Sequence, residues 1–177
     1  MGCLKLEGSE IKSTAFLACS FQVLFTAFNA LLNLHSSLHD ENSLGLACLA
    51  IIYFTAILSS VLAPATISYL GAKTVLVAFF LAHCVYVLVN FYPTFYTMVP
   101  AAVLVGAFHG SAWTAQALYI SSSAYSYSRK SSRSPYTVLS RFNAVFFALF
   151  ATTNIGGNLV TSLVLEEGDS GQWSEQH

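Results

Sequence analysis

The sequence predicts an all-α, multi-pass membrane protein with five transmembrane helices. Three observations lead there. Of the 177 residues, 55% are hydrophobic and only 8% are charged, where a soluble domain carries about 25% charged residues. Four stretches, 13–39, 42–72, 74–128 and 142–165, contain no Asp, Glu, Lys or Arg. All seven Lys and Arg lie between or ahead of those stretches, in three places.

A helix crosses the hydrocarbon core with roughly 20 apolar residues. Inside lipid a backbone must satisfy its own hydrogen bonds, so helices are expected and an open sheet is excluded. A β-barrel would show alternation in short segments, whereas these apolar runs are continuous.

The first span is expected over 14–34. Its apolar run is longer than the roughly 7–15 residues of a signal-peptide core, and its leader mixes Glu7 and Glu10 with Lys5 and Lys12, so it reads as a retained helix. The second span covers 46–67, with Pro64 near its end as a bend. The third charge-free stretch is too long for one crossing. Asn90-Phe91-Tyr92-Pro93-Thr94 supplies turn chemistry that divides it into spans 74–91 and 97–120, with Pro100 early in the latter. A serine-rich basic loop is expected over 121–141, then the fifth span over 142–165 and an acidic tail over 166–177.

The cations orient this map. Lys5 and Lys12 precede span 1, Lys73 separates spans 2 and 3, and Arg129, Lys130, Arg133 and Arg141 lie between spans 4 and 5. With five spans these segments share one face, and loop cations mark the cytoplasmic side. The segment 1–13 is therefore expected inside and the tail outside or luminal. The 121–141 segment anchors this topology, and phosphate added to its serines would cancel local positive charge and alter contact with anionic lipid or a cytosolic partner.

Composition also excludes functions. A net charge of −1 argues against nucleic-acid binding, which needs a broad basic face. The four cysteines match no zinc or redox spacing. No Ser-His-Asp set, paired carboxylate, metal-ligand cluster or cofactor pattern can be assembled, so no enzyme and no cofactor is expected. No span contains a charged residue, which disfavours a proton or ion pump contained in this chain.

What remains is a set of polar and small-residue faces. Gln22, Thr26, Asn29 and Asn33 recur at i, i+4, i+7 and i+11, on one face of span 1. Such a stripe either lines a polar path or clamps neighbouring helices through hydrogen bonds. In span 4, Gly106 and Gly110 form a GxxxG within a small-residue stripe that permits close helix approach. Beside them His109, Trp113 and Gln116 follow i, i+4, i+7 and are candidates to line the same cavity, although an intramembrane His is also an ordinary hydrogen-bonding residue. Span 5 carries Gly157 in a small-residue stripe and Asn154 with Asn158 as an i, i+4 polar pair, both read as helix packing.

Several ordered segments resemble the unc-93-like family, its A-type homologues in particular. They are Leu24-Phe25-Thr26-Ala27-Phe28 with Leu34-His35-Ser36-Ser37-Leu38, Leu44-Gly45-Leu46, Leu58-Ser59-Ser60, Tyr69-Leu70-Gly71-Ala72-Lys73, Trp113-Thr114-Ala115-Gln116 with Tyr119, and Gly157-Asn158-Leu159 with Ser162-Leu163-Val164. The resemblance implies a major-facilitator-type bundle, of which this chain would be an incomplete N-terminal half. It stops where a sixth helix is expected, as an N-terminal fragment, truncated isoform or incomplete gene product would. Of the facilitator motif between spans 2 and 3 only Gly71 and Lys73 are present, so ordinary facilitator gating is not expected.

The family also implies partners: an ion channel, such as a potassium channel, or a receptor in transit, with the lipid bilayer as solvent. The plasma membrane is the expected location and an endomembrane the alternative. The competing expectations are a solute carrier, with the span 1 stripe, His109 and Gln116 facing substrate, and a truncated form without activity of its own.

Overall fold

The computed structural model describes residues 9–38 and 44–175, with side chains described for 9–34 and 44–166. The expectations for most of the N-terminal leader, for the turn between spans 1 and 2 and for the last two residues lie outside the described residues. Among the described residues there are five helices: α1 (Ser9–Leu38), α2 (Leu44–Leu70), α3 (Ala72–Val89), α4 (Phe95–Ser131) and α5 (Pro135–Glu175). All five are long and apolar enough to cross a bilayer, and the chain is an all-α, multi-pass membrane protein.

The joints follow from local chemistry. Only Gly71 separates α2 from α3, at φ 79° and ψ 147°, a region closed to residues with a Cβ. Its N–H donates to the Ile67 carbonyl at 2.8 Å, and its carbonyl accepts from the Val75 N–H at 3.1 Å, so the glycine ends one helix and starts the next. The α3–α4 turn falls at the expected Asn90–Thr94 segment. There Thr94 caps α4 in a reciprocal box with Thr97, which satisfies donors that a helix start leaves open.

Two sequence expectations are corrected. The segment 121–141 is not a loop: α4 continues to Ser131 and α5 begins at Pro135, so only residues 132–134 leave the helix. No proline interrupts α4 after Pro100, and serines in its last turns bond back to the helix, as Ser131 Oγ does to the Tyr127 carbonyl at 2.9 Å. Ser132 then ends α4 in the left-handed conformation, and Pro135 suits the first position of a new helix. The tail is the second correction. α5 runs through the acidic segment to Glu175, because the polar residues after Leu165 include no proline to stop it.

α4 has 37 residues, or roughly 55 Å of helix at 1.5 Å per residue, against a core of about 30 Å. Its final turns therefore stand beyond the hydrocarbon, and they carry Arg129 and Lys130, which complement the negative end of the helix dipole.

α1 and α4 are the hub. Each packs against all four other helices, most extensively α1 along α5 and α4 along α2 and α3, whereas α5 meets neither α2 nor α3 among the described residues. Phe21 of α1 sits fully buried at the junction. Its ring centroid lies 5.6 Å from Phe79 of α3, 5.7 Å from Trp113 of α4 and 5.3 Å from Phe146 of α5. Lipid gives no hydrophobic drive between helices, so such close ring packing supplies part of the cohesion. The outer surface is apolar: Phe54, Ile57, Val61 and Leu62 of α2 are all exposed, as a lipid-facing helix requires.

Candidate functional site

The α1 stripe meets α5. Gln22 Nε2 donates to Thr152 Oγ1 at 2.8 Å, Asn29 Nδ2 to Asn154 Oδ1 at 3.0 Å and Asn33 Nδ2 to Asn158 Oδ1 at 2.8 Å. The two Asn pairs share one sequence separation, 125 residues. Parallel helices with the same i, i+4 spacing produce such a ladder, because both repeats advance together along the axes. Thr26 lies opposite Gly156, where a Cβ would come 2.9 Å from Thr26 Cγ2. A Cβ on Gly157 would come 2.7 Å from the Asn29 Cβ. Glycines thus let the backbones close to amide-bonding distance.

This seam is not sealed. Gln22, Asn29 and Asn33 are half-buried, while Thr152, Asn154 and Asn158 are exposed. Asn154 and Asn158 use their carbonyl oxygens in the ladder. An Asn side chain also has two N–H donors, and those of Asn154 and Asn158 find no partner among the described residues. One side of the bundle therefore presents a polar line at membrane depth.

His109, Trp113 and Gln116 do not join that line. Trp113 packs against Phe21 and Phe25 of α1 and Phe150 of α5, with centroids 5.7, 5.7 and 5.1 Å away. His109 stands 5.7 Å from the ring of His83 and 5.6 Å from Phe79. The fully buried His83 donates from Nδ1 to the Phe79 carbonyl at 2.9 Å. Gln116 is buried as well. The expected common cavity thus separates into a packed aromatic and imidazole core and an open amide face.

The expected glycine pair of α4 faces α2. A Cβ on Gly106 would come 2.6 Å from the Ile52 carbonyl oxygen, and one on Gly110 would come 2.5 Å from the Ser60 backbone nitrogen. Ser59 ties this seam: its Oγ donates to the Ala107 carbonyl at 2.6 Å and accepts from the Ser111 N–H at 3.2 Å. Ser59 and Ser111 were missed as a pair from sequence. Their signal is slight, a serine in each apolar span, and only the close approach at Gly106 and Gly110 makes them meet.

Sequence reading also missed Glu10. Its Oε1 accepts from Lys130 Nζ and from Ser126 Oγ, the latter at 2.9 Å, joining the start of α1 to the end of α4. No group of three or more His, Cys, Asp or Glu among the described residues could hold a metal ion.

A family model described as "Ion channel regulatory protein UNC-93" matches residues 39–177. The chain belongs to the UNC-93 family. It is 40% identical over 163 residues to the protein unc-93 homolog A of Bos taurus, which covers 90% of this chain and 35% of that protein. Over 162 residues it is 32% identical to the putative potassium channel regulatory protein unc-93 of Caenorhabditis elegans, covering 90% of this chain and 23% of the relative. UNC93-like protein 3 of Arabidopsis thaliana is 31% identical over 158 residues, covering 89% and 34%. This UNC-93 chain spans about a third of the length of the homolog A relatives it matches. The family model spans α2 to α5 and so includes the glycine seam and the α5 side of the amide ladder.

Proposed function

We propose that this UNC-93 chain acts by binding another membrane protein, as a regulator of an ion channel, and that the α1–α5 amide face makes the contact. The observation that carries the reading is the exposure of Thr152, Asn154 and Asn158 with the unpartnered amide donors of the two asparagines. Against lipid each unmade hydrogen bond costs several kcal/mol. Transmembrane helices of a partner bearing carbonyl or hydroxyl acceptors relieve that cost. The family description and the name of the nematode relative support a channel, and a potassium channel in particular, as that partner. Catalysis has no place in this reading, since the face carries amides and hydroxyls but no acid, base or nucleophile arrangement.

The orientation belongs to the same proposal. The cation-bearing ends of α4 and α5 face the cytoplasm of a plasma-membrane protein, and α1 starts there. The chain has no Asn-x-Ser/Thr sequence of its own, so an acceptor site appended after His177 reports sidedness cleanly: glycosylation is expected there and not at an appended N-terminal site.

The rival reading gives the same face to a water-filled solute path of a major-facilitator-type bundle. Replacing Asn154 and Asn158 together with Leu separates the two. Loss of co-purification with a co-expressed potassium channel is expected, with the variant still monodisperse in detergent. Intact co-purification together with solute uptake that the variant abolishes would overturn the partner reading.

A further inference from the structure

The cytoplasmic end of α4 carries a feature that channel regulation through the amide face does not use. Ser126 and Lys130 stand one turn apart on α4 and both donate to Glu10 Oε1 of α1. This is the one ion pair among the described residues. The Glu10 side chain is only 11% exposed, and its other oxygen, Oε2, is buried without a partner among those residues. The carboxylate is thus held at a single oxygen, and the clasp depends on Lys130.

Two residues beyond Lys130 lies Ser132. It is exposed, sits in the left-handed turn at φ 53° that ends α4, and its hydroxyl makes no hydrogen bond among the described residues. Ser128 and Ser131, in the last turns of α4, differ in this respect. Ser131 Oγ is engaged with the Tyr127 carbonyl, and Ser128 Oγ donates to the Arg133 carbonyl at 2.6 Å. Arg129 and Lys130 precede Ser132 by three and two residues, and Arg133 follows it, all exposed. An open recess of about 730 Å³, lined by Ser122, Tyr125, Ser126, Arg129 and Lys130, adjoins the clasp.

We propose that Ser132 is a phosphoacceptor for a Ser/Thr kinase with an acidic substrate cleft, and that the phosphate releases the Glu10–Lys130 clasp. The cations before Ser132 match such a cleft in charge, with Arg129 and Lys130 three and two residues ahead of it, and its free hydroxyl lies in an exposed three-residue non-helical segment. In the transfer the Ser132 oxygen attacks the γ-phosphorus of ATP. The new P–O bond forms as the bond to ADP breaks, and the serine proton passes to the kinase's base. The phosphate brings about −1.5 to −2 charges and three strong acceptors. It draws Lys130 away from a singly charged carboxylate already bound at one oxygen only. It also places negative charge at the C-terminal end of a helix, where the dipole disfavours it. The first turn of α1 and the last turn of α4 then open together.

The inference rests on the cytoplasmic placement proposed above, and its test is independent of that placement. The 177-residue chain, purified in detergent, is treated with Mg-ATP and the catalytic subunit of cAMP-dependent protein kinase, then mapped by mass spectrometry and hydrogen exchange. Expected are phosphate on Ser132, its loss in Ser132→Ala and in Arg129→Ala, and amide exchange at least tenfold faster in residues 9–14 and 127–131 on phosphorylation. Lys130→Ala should exchange fast in residues 9–14 before any kinase is added and change little after it. Phosphate confined to Ser131 or Ser134, no phosphate at all, or phosphate on Ser132 with unchanged exchange would each overturn the proposal. Phosphorylation in detergent but never in cells, with the appended N-terminal site glycosylated, would instead refute the orientation.

Discussion

Two parallel helix pairs hold this bundle, and they do so by different means. α2 and α4 close onto each other through Gly106 and Gly110, with α2 backbone atoms where a side chain would be, and their polar link through Ser59 is short and buried. α1 and α5 also use glycine, but they are joined by a ladder of side-chain amides that stays open on one side. The first seam is finished by its own two helices. The second leaves amide donors over at membrane depth, where each unmade hydrogen bond is costly against lipid. The difference is that the α1–α5 seam leaves polar groups exposed, whereas the Ser59 link of the α2–α4 seam is buried.

Gly110→Ala should break the finished seam most severely. Its Cβ meets the Ala56 carbonyl and Ser60 nitrogen of α2, and backbone moves less readily than a side chain, so a loss of about 3 kcal/mol is expected, at the upper end of overpacking costs. Denaturation of the detergent-solubilised chain by SDS, followed by circular dichroism, measures it. A loss no larger than that of Ala107→Leu at an exposed position of the same helix would show that the helices are not in close contact there.

A smaller effect is expected at the ladder. A double-mutant cycle of Asn29→Ala and Asn154→Ala should give a coupling of about 0.6–1.7 kcal/mol, the range for hydrogen bonds between membrane helices. Zero coupling would mean that the two amides are neighbours without being partners. Smallest is Ser59→Ala, about 0.5 kcal/mol in the same assay, because Ser59 accepts from a backbone N–H in mid-helix and donates to a carbonyl already in the α4 ladder. If Ser59→Ala cost more than either Asn substitution, the contrast between a packed seam and a bonded one would fail.

The five crossings were legible because lipid allows so few solutions: charge-free length fixed four stretches and showed one too long for a single span, and the Asn90–Thr94 turn residues divided it. The α1 stripe was legible for a similar reason, since four polar residues at helical spacing leave little doubt about their common face. Its partners were not. Asn154 and Asn158 stood out as a pair, but nothing local joins residues 125 positions apart, and that match becomes visible only when α1 and α5 are known to run parallel. Segment 121–141 misled because serines and cations read as loop when a crossing is thought to end with its apolar run. A helix ends where its hydrogen bonding fails, which here is at Ser132. Glu10 was hidden by the same error, since Ser126 and Lys130 share a face only if that segment is helical. His109 and Gln116 had the right spacing to reach inward and both are turned inward, His109 into aromatic packing, instead of the amide face.

The 125-residue separation of the Asn pairs has a consequence in time. A ribosome adding about 5–20 residues per second delivers Asn154 roughly 6–25 seconds after Asn29. Throughout that interval Gln22 and Asn29 of α1 wait for their α5 partners. Until α5 arrives, the Gln22 and Asn29 amides lack their ladder partners, so this seam is among the last parts of the bundle that can close.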